Sequence, residues 1–98
     1  MKLIYTTAVF DAWFQSLKVN PTARRIQARI DRAEEGSFGD HKAVGEGVSE
    51  MRIHHGPGFR LYFTQRGLEI VILLAGGDKS SQSKDIETAH KLARQIKE

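Results

Sequence analysis

Cysteine is missing altogether from this sequence, which excludes a disulfide framework and any thiolate metal site. Long hydrophobic runs are missing too. The longest, "IVILLA" at 70–75, is about a third of a membrane span. The N-terminus, "MKLIYTTAVFDAW", carries an aspartate early and has no h-region of the kind a signal peptide needs. The expected compartment is therefore the cytoplasm. The four histidines, His41, His54, His55 and His90, have neither HExxH spacing nor a carboxylate cluster beside them, so no metal site is expected. No serine stands in a nucleophile elbow, which argues against an acyl-transfer hydrolase. Nor is there much charge of one sign. Fifteen Lys and Arg stand against twelve Asp and Glu, a net of +3 with a pI near 9.5. That allows an acidic partner without establishing nucleic-acid binding.

What is present is the balance of an ordinary globular chain, 40% hydrophobic and 28% charged over 98 residues. This is enough for one core and too little for two. No repeat, low-complexity tract or internal linker divides residues 1–98, which are read as a single domain. "KLIYT" reads as a strand. Thr7 can cap a following helix whose Val9, Phe10, Trp13, Phe14 and Leu17 recur at helical spacing. In "NPTARRIQARIDRAEEG", Asn20 is the expected cap, Pro21 sits where its missing N–H costs nothing, and Gly36 ends the helix. Residues 36–47, "GSFGDHKAVGEG", read as a glycine-rich loop. Strands are expected at about 48–55, 58–65 and 68–75, and residues 80–98 return to helical spacing. The order β-α-α-β-β-β-α predicts an α+β domain, with helices packed on an antiparallel sheet.

The most informative stretch is "MRIHHGPGFRLYFTQRG" at 51–67. Period two puts Glu50, Arg52 and His54 on one face, and Arg60, Tyr62 and Thr64 on the matching face of the next strand. A loop of Gly56-Pro57-Gly58 would set Arg52 opposite Tyr62 and His54 opposite Arg60. A tight Arg66-Gly67 turn would extend the apolar face, with Phe63 beside Ile70 and Leu61 beside Ile72. Two arginines converging across strands are unfavourable unless something anionic sits between them. The guanidinium fork suits phosphate, and a tyrosine can stack on a base. The other reading is a solvated polar face with Glu50 neutralising part of the charge. "LLAGGDKSSQSKDI" adds Lys79 just before a helix start, where backbone N–H groups favour anions. The same stretch also reads as a plain strand-to-helix turn capped by Ser80 or Ser81. The spacing of a P-loop is absent.

"EMRIHHGPGFRLYFTQRGLEIVILLAGGDKSSQSKDIETAHKLA" resembles the RelE/ParE superfamily of toxins, in particular the HigB-like group known as addiction-module killer proteins. The similarity extends to the early aromatic helix, the Asn-Pro helix and the glycine loop, and so covers nearly the whole chain. It implies a RelE-like fold and the toxin of a type II toxin–antitoxin system. The activity it implies is a metal-independent endoribonuclease (an mRNA interferase) that cuts mRNA on the ribosome and inhibits translation, with no cofactor. A ParE-like DNA gyrase poison is the alternative. A degenerate toxin kept only for its antitoxin and operator-binding complex is a third possibility. Carried onto this chain, the resemblance makes Arg52, Arg60, Lys79 and His54 the candidate catalytic residues, and Lys42 and Tyr62 candidate RNA contacts. It also implies an antitoxin, often of helix-turn-helix type, through which the complex would reach operator DNA.

Overall fold

The computed structural model describes residues 1–18 and 20–96; Val19 and residues 97–98 of the expected last helix lie outside that range. The chain folds as an α+β domain. Its elements are β1 (Leu3–Thr6), α1 (Ala8–Ser16), α2 (Pro21–Glu34), β2 (His41–Gly45), β3 (Val48–Ile53), β4 (Phe59–Arg66), β5 (Ile70–Asp78) and α3 (Gln82–Gln95). The sheet has five strands in the order β1-β5-β4-β3-β2. It is mixed rather than antiparallel, because β1 runs parallel to β5 while the other pairs are antiparallel. Parallel strands cannot be joined by a hairpin, and here the two helices and the meander supply the long connection between β1 and β5. No described helix is long and apolar enough to cross a membrane.

The helix starts follow their capping residues. Thr7 Oγ1 accepts from the Phe10 N–H at 3.0 Å and its hydroxyl donates to the Leu74 carbonyl, so this cap also ties α1 to β5. Asn20 accepts from the Ala23 N–H at 2.9 Å with Pro21 next in line. At the third start Ser81 stands at the N-cap of α3, as expected, but its side chain makes no capping bond, and the side-chain cap comes earlier, from Asp78. Its carboxylate accepts from the Ser80 N–H and opens a 3₁₀ turn over Lys79–Ser81 that leads into α3.

The glycine-rich segment is not all loop. His41–Gly45 pairs with β3 as an exposed edge strand, with a register irregularity between Ala43 and Gly45. Lys42 therefore sits on a strand opposite Glu50, rather than in a loop. Both sheet faces are covered. On one face α1 and α2 enclose Phe10, Ile26, Met51, Leu61, Phe63 and Leu73; on the other α3 covers Val48, Tyr62, Leu74 and Ala75. Each large side chain so buried contributes about 1.5–3 kcal/mol.

Two glycines set how closely the helices approach. A Cβ on Gly76 would overlap the ring of Trp13 from α1, and one on Gly77 would overlap the Asp85 carboxylate of α3 and crowd Ser81 Oγ in the turn before it. The pair thus thins β5 on both faces at the point where it leads into Lys79. Gly76→Ala should destabilise the protein by about 1–3 kcal/mol, the usual cost of overpacking, measured by urea denaturation; an unchanged midpoint would show that Trp13 moves aside freely.

Candidate functional site

Arg52 and Arg60 do share a face, but in a different register from the one expected. Arg52 pairs directly with Arg60, Ile53 with Phe59 and Glu50 with Tyr62. The connection therefore spans residues 54–58, and His54 lies in the turn rather than opposite Arg60. The slip is by two residues, and period two preserves the faces. The β4–β5 register is also displaced. Phe63 pairs with Leu73, Thr64 with Ile72, and a bulge follows between Tyr62 and Phe63. Ile72 consequently packs with the α3 core instead of beside Leu61.

Glu50 resolves the charge conflict between the two arginines. The residue is only 2% exposed, and one carboxylate oxygen stands 3.7 Å from both Arg52 Nε and Arg60 Nε. Its other oxygen accepts from Gln82 Nε2 at 3.2 Å, which joins the arginine pair to the start of α3. At 3.7 Å these are ion pairs without a hydrogen bond. Both Nε atoms are buried and lack a hydrogen-bond partner among the described residues. Buried N–H groups of this kind remain costly until a partner arrives.

Beside the pair opens a cleft of about 450 Å³. Arg52, His54, His55, Pro57, Arg60 and Lys79 are among the residues that line it. Lys79 is held at the rim because its backbone N–H donates to the Gly58 carbonyl at 3.0 Å. His54, with its side chain 77% exposed, places Nε2 2.7 Å from an Asp40 carboxylate oxygen, and the other Asp40 oxygen is 3.6 Å from Arg52 Nε. Four of the expected residues, Arg52, Arg60, Lys79 and His54, thus share one cleft. Lys42 shares the Glu50 face without lining it. Tyr62 is the clear correction: it is fully buried beneath α3, so it is not accessible to RNA as expected. Burial, with Glu50 and Asp85 nearby, pushes its phenol well above the ordinary tyrosine range.

With these contacts established, the chain can be set beside other proteins. It matches no family model. An uncharacterized protein of Haemophilus influenzae is 46% identical to it over 93 residues, covering 95% of this chain and 94% of that protein. The two belong to one family. Within this family the match takes in nearly the full length of both members, so the shared unit is the whole domain and includes the cleft.

Three contributors to the site escaped the sequence reading. Asp40 and Gln82 are distant from the hairpin in sequence and reach it only through tertiary contacts. Arg29, from α2, donates to the carbonyls of Arg52 (2.6 Å) and Phe38 (2.8 Å), fixing the end of β3 and the approach to Asp40. Gly39 permits this, since a Cβ there would lie 2.8 Å from the Arg29 guanidinium and its φ is +61°. Neither the Arg29–Gly39 contact nor the role of Asp40 has a signal in the spacing, because both arise from how α2 packs on the segment before β2.

The hydrogen bond from His54, followed by the charge of Arg52, holds the Asp40 carboxyl below the usual aspartate range. A depressed carboxyl keeps its contact above the ordinary value and loses it only as pH falls through the lower one. His54→Ala should therefore move the Asp40 titration midpoint upward, toward the ordinary aspartate value. Carboxyl-carbon NMR reads this directly, and an unmoved midpoint would rule out the pairing in solution.

Proposed function

We propose that this chain is the toxin of a type II toxin–antitoxin system, and that it cleaves mRNA on the ribosome in the cytoplasm. The observation that carries the reading is the Arg52–Arg60 cross-strand pair at the wall of a cleft that Lys79 and His54 also line. Cleavage by an internal 2′-hydroxyl needs a base for that hydroxyl, a proton for the leaving 5′-oxygen, and positive charge on the phosphorane. With Nε2–H donated to Asp40, the other ring nitrogen of His54 is free to accept the 2′-proton. Arg52 and Arg60 take the phosphorane oxygens, and the Lys79 ammonium is assigned to the 5′-oxygen. The resemblance of the sequence to HigB-like toxins supports the same chemistry without a metal. It also supports a neighbouring-gene antitoxin of helix-turn-helix type that holds the protein inactive and carries the complex to operator DNA.

Induction of the protein in growing cells tests this proposal. Translated messages should be cut within coding sequence before any DNA-damage response is seen. Intact messages with an early damage response would instead select the gyrase-poison reading, and intact messages without one would leave only a complex-forming role.

A further inference from the structure

Behind His54 lies a second cleft of about 300 Å³ that shares Ile53 and His54 with the first. Its outer wall is α2, where Arg25, Arg29 and Arg32 fall on one face at four- and three-residue spacing. The three arginines are not equivalent. Arg29 is turned inward and occupied by backbone carbonyls. The side chains of Arg25 and Arg32 are exposed and have no ion pair or hydrogen bond among the described residues. Among the described residues Asp40 is the one acid lining the second cleft, and it already faces His54 and Arg52.

Two solvent-facing arginines on one helix face, next to a third whose charge they repel, favour a polyanion that spans them. Burial and Arg32 lower the affinity of Arg29 for its proton, in keeping with that crowding. From Arg25 to Arg32 the helix rises about 10 Å, so a single chain of phosphates can follow it from the wall of the first cleft. We propose that the α2 cleft is a second subsite for the same single-stranded RNA, in which Arg25 and Arg32 bind backbone phosphates flanking the one held by Arg52 and Arg60. This rests on the reading of the first cleft as an RNA site. Arg25 and Arg32 are assigned to backbone phosphates, contacts that carry no sequence information directly. Its contribution is affinity and placement of the strand.

The test uses the full chain with two 2′-O-methyl RNAs that cannot be cleaved, a trinucleotide that fits the first cleft and a dodecanucleotide that reaches both. For single strands each phosphate contact adds about 0.7 to the slope of log affinity against log salt. The R25A/R32A double variant should lower that slope by about 1.4 for the dodecanucleotide and leave the trinucleotide unchanged. R25K/R32K should restore most of the slope. Circular dichroism of each variant should match the parent, since both positions are exposed. Equal loss for both oligonucleotides, or loss for neither, overturns the second subsite. Should the unmodified protein bind the dodecanucleotide no better than the trinucleotide, the subsite fails while the first cleft stands. Failure to bind either RNA overturns both together.

Discussion

Arg60→Lys is expected to lower the rate of mRNA cleavage by about 10²–10³-fold, the usual loss when one donor to a developing oxyanion is removed. The conservative variant is the informative one. Arg60 is only 14% exposed and faces the buried Glu50 carboxylate. Arg60→Ala would therefore mix two effects: loss of the phosphate donor, and loss of one of the cations that compensate a buried charge. Breaking a buried pair from one side typically costs about 3–5 kcal/mol, enough to unfold many small domains. Lysine keeps the charge beside Glu50 but cannot present the planar fork to a phosphate. A folded Arg60→Lys protein with parental cleavage rates would remove Arg60 from the reaction. Restoring the rate by changing Glu50 at the same time would point to the carboxylate pair as the real determinant.

Glu50→Ala should act in opposite directions on stability and on RNA. It strips Arg52 and Arg60 of their shared counter-charge and frees Gln82 from its contact, so unfolding should become easier by about 3–5 kcal/mol. The cleft, relieved of its negative charge, should bind RNA more tightly and with a steeper salt dependence. Thermal melting and RNA titration on one sample read both. Tighter binding without a loss of stability would mean that the carboxylate contributes nothing to the fold. A loss of both would mean that it arranges the arginines rather than restraining them.

How much of this was legible in the sequence differs by element. The caps at Thr7 and Asn20 were, because a capping side chain acts on a donor two or three residues away and needs no tertiary context. The face shared by Arg52 and Arg60 was legible as well, since period two survives a slip of two residues. The β4–β5 register was not. The bulge at Tyr62 and Phe63 leaves Leu74 without a partner, and an odd displacement moved Ile72 to the opposite face. β2 was hidden by the glycines around it and by its exposure as an edge strand, which removes the alternation that burial imposes. The cover over Tyr62 had a signal that went unused. "IVILLA" is apolar on both faces, and a strand of that kind requires a layer on each side. Asp40 and Gln82 had none, because their roles arise from loop and helix placement alone.

The central claim is that the Arg52–Arg60 cleft breaks RNA through a 2′-hydroxyl. It is tested most directly by mapping the ends of mRNA from a purified translation reaction, supplied with either the parental protein or Arg60→Lys. The account predicts cuts within translated sequence that leave a 2′,3′-cyclic phosphate on one fragment and a 5′-hydroxyl on the other, with the Arg60→Lys reaction largely uncut. Messages that stay intact with the parental protein, or cuts that leave a 5′-phosphate, would contradict it.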